Sequence, residues 1–402
     1  MINMKILHTS DWHIGKQLHK IDLSEDLDLF FHWLLNTIKN EKIDLLLVSG
    51  DVFDQANPSQ AALKQYYSFL KRMIGSGCKI LITGGNHDSA AVLNAPKELL
   101  NFLDINVVGG ASDSISELFF EYSVGEENVV VAAVPFLRDK DIRKSAPGES
   151  YTDKIEQIRD GIKNYFANIN RYYLESFQGD FFIVMGHLYV QGAHVSESMR
   201  DIQIGNQAGV NGSIFGDEPD YVALGHIHKP YAVSESRNIY YSGSPICLSF
   251  SEKEEEKLVN IITVSGKNTD IEILPIPKFR DLVAFKGTLE EVKTQLSNYI
   301  QNTGLVSLAE IIVNEPNENI QIRQDLDELL DSQENENLKI IKSKLNFINK
   351  VRGASEAFEP GISVADVTPM EMFEKRLELD GNQENIDDLK NAFRQILEEL
   401  NL

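Results

Sequence analysis

Short apolar runs alternate with amphipathic segments from residue 4 onward. The runs at 4–9, 44–49 and 79–83 predict strands that are buried on both faces of a sheet. The segments between them repeat apolar residues at helical spacing, which predicts helices from Ser24 and over 58–73, with Ser24 at the first N-cap. The apolar stripe of the first helix comprises Leu27, Phe30, Phe31, Leu34 and Ile38. The pattern predicts an α/β layered domain.

Beyond residue 118 the pattern becomes richer in strands. One long amphipathic helix is expected over 152–177. The strands expected around it are 118–124, 129–134, 181–185, 220–224, 239–241 and 271–274. Two stacked sheets with flanking helices accommodate this succession.

A composition break at Pro275 and Pro277 indicates that a new unit begins. Thr288, followed three residues later by Glu291, forms a capping-box pattern in front of a helix. The expected elements are a strand at 282–286, a helix to 300, a strand at 306–313, a helix at 320–330 and a strand at 338–347. This β-α-β-α-β order predicts a small α/β cap. We therefore expect three parts, 1–275, 276–350 and 351–402.

The last part begins with a Gly-containing linker and then shows two helix starts. Thr368-Pro369-Met370-Glu371 is typical of a capped helix start, and a further amphipathic helix opens at Asn385. The connection Asp380-Gly381-Asn382 between them predicts a helical hairpin. Its apolar stripe could cover the chain's own core or dock on a partner's coiled coil, and the pattern leaves both open.

Composition narrows the class of protein. A chain of 402 residues accommodates two or three domains of about 150 residues each. Its 38 Lys and Arg against 61 Asp and Glu give a net charge of −23, which disfavours binding nucleic acid by bulk charge alone. Two cysteines, the lack of a secretory leader and the lack of an apolar run of roughly 18 residues predict a cytoplasmic protein outside the membrane.

Chemistry-bearing residues follow five of the predicted strands, at the carboxyl ends where open α/β sheets bind ligands. The five motifs are Asp11-Trp12-His13, Gly50-Asp51-Val52-Phe53-Asp54, Gly85-Asn86-His87-Asp88, Gly186-His187 and Gly225-His226-Ile227-His228. Each motif is weak alone, but glycine precedes the key residue in four of them, which leaves room for a metal or a phosphate. Their joint occurrence predicts one shared site.

Carboxylate, imidazole and amide donors together suit manganese, iron or zinc better than magnesium. A two-metal site needs one carboxylate that bridges ions roughly 3.5 to 4 Å apart, and Asp51 is the candidate bridge. Two such ions lower the pKa of a shared water and neutralise charge on phosphoryl oxygens. The motifs therefore predict in-line hydrolysis of a phosphate ester.

The five motifs resemble those of the calcineurin-like metallophosphoesterases, and more closely those of the SbcD family of bacterial nuclease subunits. The stretches that carry the likeness are His8-Thr9-Ser10-Asp11-Trp12-His13-Ile14-Gly15, Gly50-Asp51-Val52-Phe53-Asp54, Ala223-Leu224-Gly225-His226-Ile227-His228-Lys229-Pro230 and Tyr241-Ser242-Gly243-Ser244-Pro245-Ile246. The resemblance covers most of 1–275. It implies a two-sheet α/β sandwich with a binuclear site, a small cap and a C-terminal helical hairpin.

The resemblance also implies roles for residues. One metal, most readily Mn²⁺, would be held by Asp11, His13, Asp51 and His228, and the other by Asp51, Asn86, His187 and His226. His87 resembles the family's catalytic histidine, which stabilises the transition state or protonates the leaving oxygen. Asp54 occupies a position where some relatives have a substrate-facing histidine, and a hydrogen bond to a ligand is the alternative role. Asp88 is expected to orient a neighbouring ligand.

The implied function is a metal-dependent DNA nuclease, acting on duplex ends, hairpins and single strands. The chain contains no G-x-x-x-x-G-K-[ST] motif, so ATP control would require a second polypeptide. The resemblance implies an SbcC-type coiled-coil ATPase, with two copies of each protein and a homodimer of this chain within the complex. The alternatives are a stand-alone phosphodiesterase or phosphatase for small nucleotides or phosphoproteins, and a non-catalytic scaffold. Intact donor residues disfavour the scaffold.

Overall fold

The computed structural model describes residues 3–143, 149–177, 181–190, 209–266, 268–317, 319–332, 335–348, 368–380 and 386–399. The helices among them are α1 (Ser24–Glu41), α2 (Gln60–Met73), α3 (Ala90–Asn94), α4 (Lys97–Asn101), α5 (Asp139–Ile142), α6 (Tyr151–Ser176), α7 (Leu289–Ser297), α8 (Ile320–Asp331), α9 (Pro369–Asp380) and α10 (Ile386–Glu399). None of these described helices is long and apolar enough to cross a membrane.

The strands of the described residues fall into three larger sheets and one small ribbon. They are β1 (Met4–Thr9), β2 (Gln17–Leu18), β3 (Ile21–Asp22), β4 (Leu45–Ser49), β5 (Lys79–Thr83), β6 (Ile105–Val108), β7 (Phe119–Val124), β8 (Glu127–Ala133), β9 (Phe181–His187), β10 (Tyr221–Gly225), β11 (Tyr231–Ser234), β12 (Ile239–Tyr241), β13 (Leu258–Ser265), β14 (Asn268–Pro275), β15 (Leu282–Gly287), β16 (Ser307–Glu315) and β17 (Leu338–Phe347).

The first sheet has the order β14-β13-β1-β4-β5-β6. Strands β1, β4, β5 and β6 run parallel to one another, whereas β13 pairs antiparallel with both β1 and β14. All five residues of β4 are buried, as expected for a strand covered on both faces. The predicted α1 stripe is buried too, against this sheet, together with Phe69 of α2.

The second sheet has the order β11-β12-β10-β9-β8-β7, with β8, β9, β10 and β12 parallel. One apolar cluster joins Ile6 and Leu47 of the first sheet to Val131, Ile183 and Val222 of the second. Because these side chains fill the space between the sheets, the two sheets stack face to face. The predicted two-sheet α/β sandwich is confirmed.

The third sheet has the order β15-β16-β17, and helices α7 and α8 connect its strands in the predicted β-α-β-α-β succession. The capping box of α7 is confirmed, because Thr288 Oγ1 accepts from the Glu291 amide and the Glu291 side chain accepts from the Thr288 amide. The chain divides into two units, 1–284 with 300–310 and 335–342, and 285–299 with 311–334 and 343–402. The predicted boundaries at 275 and 350 stay predictions.

Helices α9 and α10 form the predicted helical pair. The rings of Phe373 and Phe393 stack with centroids 4.0 Å apart, and Lys390 Nζ lies 3.0 Å from Glu374 Oε1. Thr368 caps α9, because its Oγ1 accepts from the Glu371 amide. The predicted linker at 351–367 and the connecting residues Gly381 and Asn382 lie outside the described residues.

Two sequence-based expectations were incomplete or wrong. Ser24 is not the N-cap of α1, because Leu23 holds that position and the Ser24 amide donates to Asp22 Oδ1 at 2.7 Å. The pattern also omits strands β6, β11 and β13, although β13 lies inside the first sheet beside β1. Strand β13 carries a local signal in the β-branched residues Val259, Ile261, Ile262 and Val264, which the prediction overlooked, whereas its place beside β1 depends on pairing with a distant segment.

Candidate metal centre

Five parallel strands deliver the predicted donor residues to the same end of the two sheets. In the first sheet, Asp11 follows β1, Asp51 follows β4 and Asn86 follows β5. In the second sheet, His187 is the last residue of β9 and His226 follows β10. Because the carboxyl ends of neighbouring parallel strands meet at one edge, residues far apart in the sequence become neighbours here.

The seven predicted donors converge on one pocket. The ligand-capable atoms of Asp11, His13 and His228 lie within 4.8 Å of one another, and so do those of Asp51, His187 and His226. Asn86 joins the second group, since its Oδ1 lies 3.0 Å from His187 Nε2 and 2.9 Å from His226 Nδ1. With Asp51 added to the first group, the two groups contain the same residues as the two ligand sets that the resemblance implies.

Asp51 lies between the two groups. Its Oδ2 is 3.6 Å from His13 Nε2 on one side and 3.3 Å from His187 Nε2 on the other. Its Oδ1 accepts a hydrogen bond of 2.9 Å from the His87 amide, which fixes the rotation of the carboxylate. This is the position that a bridging carboxylate requires.

Four of the donor residues have left-handed backbone conformations. The φ angles are 53° at Asp11, 47° at His13, 48° at Asp51 and 96° at His226. Such a conformation costs a non-glycine residue of order 1–3 kcal/mol and persists only where surrounding structure enforces it. Here the Asp11 amide donates to the Gly50 carbonyl, and the His13 amide donates to the Asp51 carbonyl, each at 3.0 Å. The β1 and β4 loops therefore hold each other in place.

Glycines allow the strand ends to approach one another. A β-carbon at Gly85 would collide with the Asp51 carboxylate, and one at Gly50 would collide with the His187 ring. Gly50 also has a φ of 82°, which favours glycine. The glycines of these two motifs therefore make room for a donor on a neighbouring strand.

Hydrogen bonds orient the imidazoles. His187 Nδ1 donates to the Ser49 carbonyl at 2.9 Å, so its Nε2 faces Asp51. His13 Nδ1 lies 3.3 Å from Asp54 Oδ1, which leaves its Nε2 toward Asp51. In each ring the protein thus fixes Nδ1 and directs Nε2 into the donor pocket, where an ion would take the place of a proton.

His87 lies at the edge of the donor groups, with its ring centroid 4.8 Å from that of His13. Its Nδ1 donates to the Asp54 carbonyl at 2.7 Å. Among the described residues, its Nε2 is buried without a hydrogen-bond partner, as is His13 Nε2. Orphaned buried ring nitrogens are costly unless something binds them, so both mark positions for a ligand or substrate.

The two further predicted acidic residues have different contacts. Asp54 Oδ1 lies near His13 and accepts from Lys16 Nζ at 3.0 Å, while its carbonyl fixes His87. Asp88 accepts from the backbone amides of Gly85, Val52 and Phe53 at 2.8 to 3.0 Å. Asp88 therefore contacts the backbone of the two loops that bear Asp51 and Asn86, rather than a donor side chain.

Sequence reasoning missed the polar side chains behind the donors. Ser242 donates to Ser10 Oγ at 2.9 Å, and Ser10 donates in turn to the Asp11 carboxylate. Glu252 Oε1 lies 3.4 Å from His228 Nδ1 and is fully buried. Glu252 belongs to the run Ser-Glu-Lys-Glu-Glu-Glu-Lys at 251–257, which is typical of a solvated face. No signal in that run distinguishes the one glutamate that is buried.

Electrostatics show that the pocket suits cations. Burial, with a contribution from Asp51, raises the pKa of Asp11 to about 6 although His187 opposes the shift. Burial disfavours the charged ring of His187, yet Asp51 and Asp11 outweigh it and raise the pKa of His187 to about 9. Burial, then His187, lowers the pKa of His226 to about 3. A pocket of buried carboxylates that holds one imidazole protonated is one in which a cation replaces that proton favourably.

The residues fit a pair of divalent ions. The donor set mixes carboxylate oxygen, amide oxygen and imidazole nitrogen, which matches transition metals rather than magnesium. The bridging position of Asp51 and the unpartnered Nε2 of His13 among the described residues agree with that chemistry. We therefore find a donor arrangement that can hold two ions with one shared carboxylate.

Comparisons with known families agree with this geometry. A family model described as calcineurin-like phosphoesterase matches residues 4–230. A second model, described as Type 5 capsule protein repressor C-terminal domain, matches residues 278–380. Together the two matches cover most of the predicted catalytic part, the predicted cap and the first helix of the hairpin.

Relatives named as the SbcD component of the SbcCD nuclease align over most of the chain. The one from Escherichia coli K12 is 34% identical over 302 residues, which cover 74% of this chain and 74% of the relative. The one from Bacillus subtilis is 31% identical over 301 residues, which cover 73% of this chain and 75% of the relative. A crystal structure of a dimetal phosphatase from Danio rerio matches with a TM-score of 0.38 and 10% identity, over 68% of this chain and 99% of that chain.

Proposed function

The chain belongs to the calcineurin-like phosphoesterase family, and from that premise we propose that it is a metal-dependent DNA nuclease of the SbcD kind. It is a hydrolase that uses divalent metal ions. The single observation that carries the proposal is the convergence of seven donor side chains, with Asp51 between two groups, in a chain 34% identical to an SbcD nuclease. The bond it hydrolyses is the phosphodiester of DNA.

We propose the following division of the donor residues. One ion is held by Asp11, His13, Asp51 and His228, and the other by Asp51, Asn86, His187 and His226. The mixed oxygen and nitrogen donors favour Mn²⁺ as the ion of both positions. When bound, the two ions supply positive charge to the phosphate and lower the pKa of the attacking water.

The chain's own residues supply orientation and proton transfer. His87 presents Nε2 to the pocket because its Nδ1 donates to the Asp54 carbonyl. That nitrogen is positioned to stabilise charge on a phosphoryl oxygen or to protonate the leaving oxygen. Asp54 keeps the His13 ring fixed, because its Oδ1 lies 3.3 Å from His13 Nδ1. Lys16 holds Asp54 in turn, since its Nζ donates to the same oxygen at 3.0 Å. Asp88 supports the backbone amides beside Asp51.

We further propose that the chain works with an SbcC-type ATPase in a complex of two copies of each, and so also as a homodimer. The sequence has no P-loop, and its net charge of −23 repels DNA, so a partner supplies both ATP hydrolysis and positive surface. Helices α9 and α10 provide the docking element, because Leu389 and Ile396 on α10 are 43% and 49% exposed. We propose that the complex acts in the cytoplasm, where bacterial DNA lies.

The test compares substrates under defined metal conditions. Purified protein with its ATPase partner, Mn²⁺ and ATP should degrade linear duplex DNA and open hairpins, and chelation should abolish both activities. Cyclic nucleotides should be turned over far more slowly. Efficient turnover of cyclic nucleotides without DNA degradation would favour the stand-alone phosphodiesterase. Protein that binds no metal and cuts nothing would favour the scaffold.

A further inference from the structure

A buried carboxylate lies behind one of the proposed metal ligands. Glu252 ends the short 3-10 helix Phe250–Glu252 and is 0% exposed. Its Oε1 lies 3.4 Å from His228 Nδ1 and accepts from Ser249 Oγ at 3.1 Å. Its Oε2 accepts from the Leu248 amide at 3.1 Å. One oxygen therefore faces the imidazole, while the other faces the protein.

A buried lysine completes this arrangement. Lys257 Nζ donates to Glu252 Oε2 at 2.8 Å, to the His228 carbonyl at 3.1 Å and to Ser244 Oγ at 3.1 Å. The same ammonium group thus fixes both the carboxylate and the backbone of His228. A second carboxylate, that of Glu255, lies 3.2 Å from Lys257 Nζ and gives the ammonium a further anionic partner.

Stability alone does not explain this ion pair. Desolvation of two buried charges costs several kcal/mol for each ion, so a buried pair often stabilises a protein no more than apolar residues would. The charges of Glu252 and Lys257 lie beside His228, which is a proposed metal ligand. We therefore look for the role of this ion pair in its effect on His228.

We propose that Glu252, held by Lys257, is a positioning residue that sets the tautomer and orientation of His228 for metal binding. This inference rests on the proposed function. Glu252 accepts a hydrogen bond from the Nδ1–H of His228, which leaves Nε2 as the nitrogen that can bind an ion together with Asp11 and His13. A carboxylate behind a histidine also makes that imidazole a stronger donor to a metal.

The substitution Glu252→Gln separates positioning from structural support. The Oε2 position receives hydrogen bonds from Lys257 and from the Leu248 amide, so the oxygen of the glutamine must take that place. Its NH₂ group then faces His228 Nδ1, which must accept a hydrogen bond and move its proton to Nε2. The variant keeps the size and most contacts of Glu252 but blocks the ligand nitrogen. A purely structural role predicts little change.

The experiment measures tautomer and metal affinity in the full-length chain. Nitrogen-15 NMR of the imidazoles in metal-free protein should show His228 protonated at Nδ1 in the wild type and at Nε2 in Glu252→Gln. Calorimetric titration with Mn²⁺ should show affinity at one of the two positions reduced roughly 10- to 100-fold. Glu255→Gln is the matched control, because it removes a carboxylate from the same lysine while leaving the contact between Glu252 and His228 intact.

The outcomes separate this inference from the proposed function. Wild-type affinity in Glu252→Gln, or wild-type His228 protonated at Nε2, overturns the positioning role. The second result needs no variant, so it decides the question even when Glu252→Gln fails to fold. A wild-type chain that binds no Mn²⁺ contradicts the proposed function instead, while the NMR result still decides the role of Glu252.

Discussion

Individual residues in the pocket have strained backbone conformations and buried charges, which favour binding of an ion but lower the stability of the folded chain. Asp11 and Asp51 combine left-handed φ angles with burial beside each other. Neither feature benefits a chain that has nothing to bind there. The pocket is therefore a place where selection for chemistry has opposed selection for stability, as is common at functional sites.

Substitutions at His87 and Asp51 should have different consequences. His87→Ala should keep nearly all bound metal and lower the rate of DNA cleavage about 100- to 10,000-fold, because it removes a group that stabilises or protonates a phosphate oxygen and is not a proposed metal ligand. Asp51→Ala should lose both metal and cleavage, because it removes the bridging carboxylate. Elemental analysis of the purified variants and a nuclease assay measure the two effects. Equal metal loss in both variants would contradict the roles proposed here.

The buried His8 should make the protein sensitive to acid. Burial lowers the pKa of His8 from 6.5 to about 3. The unfolded chain therefore takes up a proton below pH 6.5 that the folded chain refuses until about pH 3. The free energy of unfolding contributed by this residue thus falls as the pH drops through this window, by at most about 1.4 kcal/mol per pH unit.

His8→Phe removes that dependence while Tyr221 keeps its hydrogen bond from Asn260 at 3.2 Å. We expect the difference in unfolding free energy between variant and wild type to shift in favour of the variant from pH 7 to pH 5. Denaturant unfolding at both pH values, with the exposed His32→Asn as control, measures it. A difference that does not change with pH would show that the pKa of His8 is the same in the folded and the unfolded chain.

The seven proposed donor residues could be identified from the sequence, whereas the side chains that support them could not. The donors occur in short motifs after apolar runs, so residues such as Asp11 and Asn86 are visible locally. Ser242 and Glu252, by contrast, contact Ser10 and His228, which lie 232 and 24 residues away in the chain. No local pattern encodes contacts of that separation.

Helices and strands could be predicted where the pattern that specifies them lies within a few neighbouring residues. The capping box of α7 and the apolar stripe of α1 depend on residues three or four apart, and both are confirmed. Strand β13 has a local β-branched signal that the prediction overlooked, but its place beside β1, with Met4 opposite Val264, depends on a segment far earlier in the chain. The N-cap of α1 was displaced by one residue because Asp22, outside the helix, satisfies the Ser24 amide.

The cap of α7 provides a test at this scale. Thr288→Ala removes the side-chain acceptor of the Glu291 amide and should destabilise the first turn of the helix by about 1 kcal/mol. Hydrogen exchange of the first-turn amides of α7 measures the loss. Thr294→Ala is the matched control, since it makes the same chemical change inside the same helix, where Oγ1 donates to the Glu290 carbonyl. Equal exchange in both variants would refute the contribution of the cap.

At the scale of the whole molecule, the proposed nuclease depends on a partner. Two features indicate such a partner. The excess of acidic residues requires a partner with positive charge for DNA binding, and the exposed apolar residues of α10 provide a surface that a partner can bury. Association should therefore be separable from metal chemistry. The two depend on different residues, in different parts of the sequence.

Charges placed on α10 should abolish binding of the ATPase. Leu389→Asp with Ile396→Asp should lose association in a pull-down, because buried carboxylates at an apolar interface are unpaired. Deletion after Lys350 should have the same effect, and metal content should remain normal in both. Gln395→Asp, a charge added at an exposed polar position of the same helix, is the control. Association retained by the double variant would assign the apolar stripe to the chain's own packing.

The division of the donors between two sheets has a consequence for synthesis. Asp11, Asp51 and Asn86 belong to strands made early, whereas His187, His226 and His228 come from the second sheet, and β13 completes its pairing with β1 only at Ser265. More than half of the polypeptide must therefore be synthesised before the pocket is complete. Nascent chains that end before His228 lack part of the proposed donor set and therefore cannot form the complete pocket.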